Sequence, residues 1–341
     1  MKTVNEYTAI KQEGILLNAN ENYKNLEEIV RKEIAEAIYK MPFNRYPEME
    51  NPALLEAYSK YIGKPVEQII AGNGSDEMLG LSIGLNIKND ALMYTTTLDF
   101  SMYDYYTSMY GGNVEKYEWK MGEEFDVDAF IRQGKEKNVD LVLFSNPNNP
   151  TGRLLDQDTI IKIVKGFAPK TVIVDEAYIE FCEGSVIDLI DEYDNLFVTR
   201  TLSKAFGLAS ARIGFLIGPK EKMVNVKKYQ VPYNISRLNE IAGVTVLNHL
   251  DLVYEQIDYV KKERERMAEV LKNYKSDQLT IYPSNTNFFY GYTNQKEKLL
   301  KTFEEHDITI RNYRDPYTFR ITVGQREEND LVLSILKELG E

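Results

Sequence analysis

Cysteine occurs once in this chain of 341 residues, at Cys182, and histidine twice, at His249 and His306. A single cysteine excludes an intrachain disulfide and any multi-thiolate metal site, and it suits a reducing compartment. The two histidines lack a metal-binding spacing and read as surface or interface residues, so no metal is expected. Positive charge is also in short supply, with 41 Lys and Arg against 53 Asp and Glu, a net charge of −12. That balance disfavours nucleic acid and anionic membrane as partners, since both need a positive surface. A small anionic substrate needs only a local pocket of arginine. No run of about 18 apolar residues is present, which excludes a transmembrane helix. The amino terminus, MKTVNEYTAIKQEG, lacks the apolar stretch of a secretory signal. Repeats, low-complexity tracts and a Pro/Gly/Ser linker are missing as well. These absences leave a soluble cytoplasmic protein as the expectation.

What the chain does have is apolar content, 43% of its residues. At the usual ~100–200 residues per domain, it should hold about two domains. Apolar runs at 68–71, 91–94, 140–144, 171–174, 196–199 and 214–217 read as buried strands. Amphipathic segments lie between several of them, as at 157–165, where Ile160, Ile161 and Val164 recur at helical spacing. Alternating strands and helices predict an α/β unit with a mixed, mostly parallel sheet between helices. In such sheets ligands sit beyond the carboxyl ends of the strands. After about Pro232 the pattern changes. A long charged helix is expected over 252–273, then short strands at 280–282, 287–290, 308–311 and 318–323, and a last helix at 329–339. These form a smaller α+β unit on which the segment before residue 40 would pack. The division is therefore 40–235 for the large domain, and 1–39 with 236–341 for the small one.

Four stretches combine polar residues with these strand ends. In TLSKAFGLASARIGF (201–215), Lys204 follows an apolar strand among small residues and hydroxyls. Most lysines are merely solvated. Here Thr201 and Ser203 offer hydroxyls beside it, and Arg212 follows in an otherwise apolar stretch. A nearby guanidinium would lower the lysine pKa and so favour attack on a carbonyl; with the hydroxyls it also suits a phosphate. In VIVDEAYIEF (172–181), Asp175 ends an apolar strand, where a carboxylate needs a partner. A helix cap, a structural ion pair and a counter-ion for a pyridinium nitrogen all meet that need, and Tyr178 is near enough to share the cavity. LFSNPNNPTG (143–152) is a turn by composition alone, and an asparagine amide aimed at a phenolic oxygen is its functional alternative. In IIAGNGSDEMLG (69–80), Gly72 and Gly74 precede a helix start whose backbone amides would face an anion, with Ser75 as its cap. A dinucleotide fingerprint would need glycine where Glu77 stands, and no phosphate-binding P-loop occurs.

Together these strings, with LNANEN (17–22), NRYPE (44–48), FSMY (100–103) and FRITVGQREEN (319–329), closely resemble the fold-type-I aminotransferases, and most closely the histidinol-phosphate aminotransferase family. The strings lie in family order over nearly the whole chain. The resemblance implies a pyridoxal 5'-phosphate enzyme in which Lys204 carries the cofactor as a Schiff base and shuttles protons. Asp175 would keep the pyridine nitrogen protonated, and Asn149 and Tyr178 would bond the ring's phenolate oxygen. Phe100 would stack on the ring. The backbone amides of Ser75 and Asp76, with Thr201, Ser203 and Arg212, would hold the phosphate. Tyr46 resembles the tyrosine that reaches the neighbouring subunit's cofactor, which implies a homodimer. Arg320, Arg311 and Asn20 correspond to substrate contacts. The implied reaction is ping-pong transfer from an amino donor, here histidinol phosphate, to a 2-oxo acid acceptor such as 2-oxoglutarate. Aromatic aminotransferases and threonine-phosphate decarboxylases of the same fold share the cofactor residues and stay open as alternatives. A non-catalytic regulator that senses the cofactor would usually carry a basic DNA-binding domain, which this acidic chain does not display.

Overall fold

The computed structural model describes residues 13–274 and 278–340. The first twelve residues, which make up most of the segment read above for a signal, lie outside them. The described chain builds two sheets. In chain order the strands are β1 (Ile15–Leu17), β2 (Ile69–Asn73), β3 (Leu92–Thr96), β4 (Asn113–Tyr117), β5 (Leu141–Ser145), β6 (Thr171–Asp175), β7 (Leu196–Thr201), β8 (Ile213–Ile217), β9 (Leu279–Ile281), β10 (Phe288–Thr293), β11 (Ile308–Asn312) and β12 (Thr318–Thr322). The larger sheet has the order β2-β8-β7-β6-β5-β3-β4, and the smaller β1-β11-β12-β10-β9. In the larger sheet only β8 runs against its neighbours, β2 and β7. The result is the expected mixed, mostly parallel sheet.

The apolar runs become strands because their period-2 alternation feeds two buried layers. Leu141 and Leu143 of β5 join the cluster containing Ile70, Met78, Met93 and Ile173, while Val142 and Phe144 join the one containing Tyr94, Val172 and Val174. Burial on both faces is what a parallel sheet between helices requires. Its helices start where their sequences cap them. Asp126 accepts a hydrogen bond from the Ala129 N–H at 2.9 Å and Asp156 one from Thr159 N–H at 2.7 Å, which opens Val127–Glu136 and Gln157–Phe167.

The smaller sheet takes β1 from the front of the chain and pairs it in parallel with β11. The long helix expected at 252–273 spans Leu250–Leu271, and the last helix Arg326–Gly340. No helix among the described residues is long and apolar enough to cross a membrane.

Alternation also sends β7 side chains to opposite faces. Thr199 and Thr201 point toward the strand-end cavity, while Arg200 points away and is buried. There its Nε and Nη2 donate to Glu176 Oε2 at 2.9 and 2.8 Å, and Nη2 also donates to Ser185 Oγ at 2.6 Å. Glu176 is fully buried and also accepts the Val186 N–H at 2.7 Å. Arg200→Met would leave that carboxylate without its cation. Such a loss costs roughly 3–5 kcal/mol, so the denaturant midpoint of the cofactor-free protein should fall sharply at an unchanged m-value.

Candidate active site

β5, β6 and β7 are adjacent and parallel, so their carboxyl ends share one edge. Their register sets Ser145 beside Asp175 and Asp175 beside Thr199. Beyond that edge lies a cavity of about 520 Å³ walled by both sheets. Its lining includes Ser75, Asp76, Phe100, Asn149, Asp175, Tyr178, Thr201, Ser203, Lys204, Arg212, Arg311 and Arg320.

Asp175 is buried at the end of β6. Its Oδ2 accepts the Tyr103 hydroxyl at 2.8 Å and its Oδ1 the Thr199 hydroxyl at 2.9 Å. Burial pushes its pKa up to about 6, against the pull of those two hydrogen bonds. The carboxylate is thus poised to keep its charge if a cation such as a pyridinium N–H meets it. A structural ion pair does not account for it, because its side-chain partners are the hydroxyls of Tyr103 and Thr199. Tyr103 and Thr199 were not singled out by sequence. Tyr103 sits inside the FSMY string, and Thr199 shares the alternation of Thr201, which is where a signal lay.

Lys204 Nζ donates to the Ala19 carbonyl at 2.8 Å. Its pKa is lowered to about 8, first by burial and then by the Arg320 guanidinium. Arg212, expected to lower it, does so too, but by less than Arg320. Arg212 is paired with Asp76, at 2.7 Å between Nη2 and Oδ2.

The Tyr178 hydroxyl accepts Nδ2 of Asn20 at 2.9 Å and Nδ2 of Asn149 at 3.4 Å. Burial pushes its pKa up to about 12. Asn20, expected among the substrate contacts, is therefore buried behind Tyr178, with Thr322 Oγ1 accepting its backbone N–H at 3.1 Å. It does not line the cavity; its neighbours Asn18, Ala19 and Glu21 do.

The end nearest the helix Ser75–Asn86 suits a phosphate. Ser75 is the first helical residue and Gly74 the cap, with no side-chain cap bond, so the expected Ser75 cap is not formed. The first amides of that helix are left to face an anion. Gly74 has φ +80°, and a Cβ there would lie 2.6 Å from Arg212 Nη2. Glycine is required by both conformation and space. Arg212 Nη1 reaches Ser203 Oγ at 3.3 Å, and Thr201 Oγ1 donates to Ser203 Oγ at 2.9 Å.

The opposite wall comes from the smaller sheet. Arg311 and Arg320 are direct cross-strand partners on β11 and β12, and both line the cavity. Like charges placed opposite each other are unfavourable without an anion between them. Arg320 is held by Asn149 Oδ1 at 2.5 Å and the Asn18 carbonyl at 2.9 Å, while its buried Nε has no partner. Tyr46, by contrast, is 81% exposed, stacks on Tyr233 at 4.8 Å and does not line this cavity. No group of three or more potential ligands among the described residues could hold a metal ion.

A buried amine of lowered pKa, a buried carboxylate, a hydrogen-bonded phenol and a phosphate cradle define a pyridoxal-phosphate enzyme of the aminotransferase fold. The chain belongs to the class I and II aminotransferases, whose family model matches residues 12–336. It is 37% identical over 330 residues to the histidinol-phosphate aminotransferase of Clostridium kluyveri, covering 95% of this chain and 93% of that one. The solved histidinol-phosphate aminotransferase of Clostridium acetobutylicum superposes with a TM-score of 0.85 at 26% identity, over 96% of this chain and 99% of that one. The Sinorhizobium meliloti enzyme, solved in complex with pyridoxal-5'-phosphate, gives 0.86 at 23% identity, over 96% and 90% respectively.

Proposed function

We propose that this aminotransferase takes the amino group of histidinol phosphate and delivers it to a 2-oxo acid, with 2-oxoglutarate the expected acceptor. The observation that carries the substrate choice is the facing pair Arg311 and Arg320, set across the cavity from the phosphate cradle. A substrate bearing its own phosphate gives that second cationic wall an anion to bind. The similarity to histidinol-phosphate aminotransferases at 37% identity supports the same choice.

In this reading the reaction has two halves. The donor gives up its nitrogen and leaves as a carbonyl compound, and the acceptor then takes the nitrogen. Bound pyridoxal phosphate supplies the reactive carbonyl and the ring that delocalises the carbanion. The protein does the rest. The Ser75 and Asp76 amides, Thr201, Ser203 and Arg212 fix the phosphate. Phe100, on the cavity wall, would contact the ring. Asp175 would favour a proton on the ring nitrogen, and Asn149 and Tyr178 would hold the ring oxygen. Once free, the Lys204 amine removes the proton from the substrate α-carbon, for which its lowered pKa keeps a useful neutral fraction near neutral pH. Arg320 orients the substrate's anionic group, with Arg311 as a second contact.

We place two copies in the working enzyme, the large domain at 40–235 and the small one at 1–39 with 236–341. The apolar residues Tyr39, Phe43, Tyr46 and Met49, close in sequence, are all exposed, which supports a partner covering this segment, and Tyr46 would then serve the partner's site.

The test is a half-reaction. The loaded enzyme is mixed with L-histidinol phosphate and the visible band of the lysine-bound cofactor is followed. The band should be lost on mixing and return when 2-oxoglutarate is added. A response to phenylalanine or tyrosine alone makes the enzyme an aromatic aminotransferase. Release of carbon dioxide from threonine phosphate makes it a decarboxylase.

A further inference from the structure

One half-buried carboxylate on the cavity wall has no part in the reaction described above. Asp99 sits just beyond the end of β3, and its side-chain oxygens meet several donors. The Phe100 N–H donates to Oδ1 at 2.8 Å and the Ser145 N–H to Oδ2 at 3.2 Å. The Ser145 hydroxyl also donates to Oδ1, and the Thr95 and Thr96 hydroxyls lie 3.3 Å from Oδ2. Each of these neighbours can donate, and the two backbone N–H groups can only donate, a set that suits an acceptor-only carboxylate better than a neutral amide. Burial, with the Asp175 carboxylate nearby, pushes Asp99 up to about 7, against the pull of those donors.

Its hydrogen bonds lead to the site. With its proton given to Asp99, Ser145 Oγ keeps both lone pairs for accepting. It takes the Asn149 N–H at 3.0 Å and Asn148 Nδ2 at 3.2 Å. Asn149 in turn meets the Tyr178 hydroxyl and Arg320. On the other side Asp99 fixes the backbone of Phe100, whose ring faces the cavity. A single charge thus ties together the end of β3, the Phe100 loop and the turn after β5.

We infer that Asp99 is a positioning residue for transamination, acting through Ser145 on Asn149 and through its backbone bond on Phe100. This rests on the reading of Asn149 and Phe100 as cofactor contacts, and the experiment separates the two claims. Pyridoxal phosphate is titrated into four cofactor-free proteins: the wild type, Asp99→Asn, Asn149→Ala and the double variant. Asp99→Asn should weaken cofactor binding on the order of tenfold, the loss expected for a charge-assisted hydrogen bond. Asn149→Ala should weaken it at least as much. The double variant should lose clearly less than the product of the two single losses, because one of the two routes from Asp99 runs through Asn149, while the route through Phe100 remains. Both single variants should move the visible absorption maximum of the bound cofactor in the same direction, a signature that a merely stabilising residue would not share. Ser145→Ala leaves the Asp99 charge in place and should show the same non-additivity; it carries the test if Asp99→Asn does not fold. Wild-type binding by Asp99→Asn, or losses that multiply in the double variant, would overturn the positioning role while leaving the site intact. Wild-type binding by Asn149→Ala would overturn both.

Discussion

Lys204→Ala should reduce turnover on the order of 10⁴-fold or more, with the fold and the phosphate cradle preserved. The residue lies in the loop after β7, outside the two core layers, and its amine donates a hydrogen bond to the Ala19 carbonyl. On the proposed assignment, removing it deletes both the group that carries the cofactor and the base that works at the substrate α-carbon. Cofactor binding should weaken much less, because Ser75, Ser203 and Arg212 still face the phosphate. Small primary amines added to the variant should restore part of the rate. In the unloaded enzyme the Lys204 amine has a pKa of about 8, so its neutral form grows as the pH rises through that value. Its modification by a carbonyl reagent should rise across the same window. Because Arg320 depresses that pKa, Arg320→Gln should move the window to higher pH. Unchanged turnover in Lys204→Ala, measured as 2-oxoglutarate consumed, would contradict the assignment.

Asp175→Asn should lower kcat by roughly 10²–10³-fold, the size seen when one preorganised electrostatic contact is removed. The amide keeps the shape, so an acceptor for Thr199 and a contact to Tyr103 remain. It cannot supply the negative charge that holds a proton on the ring nitrogen. Stability should move the other way. Burial raises the Asp175 pKa to about 6, above its ordinary value, so folding favours the protonated carboxyl. The native protein then binds more protons than the unfolded chain between these pKa values, and Asp175 costs stability once the pH exceeds them. Without cofactor, Asp175→Asn should therefore unfold at a higher temperature than the wild type at pH 7, the expected price of a strained functional group. Equal stability with equal kcat would mean that the carboxylate has no charge role.

The sequence disclosed the main sheet through its apolar runs. β5 to β8 are rich in aliphatic residues and buried on both faces, so they stand out without partners. β4, with the sequence NVEKY, lies at the sheet edge with mixed exposure and gave no apolar run. β1 is three residues long and becomes a strand only by pairing with β11, nearly the whole chain away. The site was legible where chemistry is local to a strand end, as at Asp175 and Lys204. It was not legible where contacts are long-range. Asn20 stands in a motif and was expected among the substrate contacts, but it is buried behind the cavity lining with its amide bonded to the Tyr178 hydroxyl. Arg212, near in sequence, does lower the Lys204 pKa, but the larger guanidinium effect is from Arg320, which arrives from the other sheet. Asp99 drew no notice in the sequence because its role depends on Ser145, 46 residues on.

The most direct measurement locates the cofactor on the chain. The protein is loaded with pyridoxal phosphate, reduced with borohydride, digested and sequenced by mass spectrometry. The mass of the reduced cofactor should appear on Lys204, in the segment between Arg200 and Arg212, and be absent from Lys204→Ala. A stable adduct on another lysine, or none at all under conditions that label a known aminotransferase, would contradict the assignment of this cavity as the catalytic site.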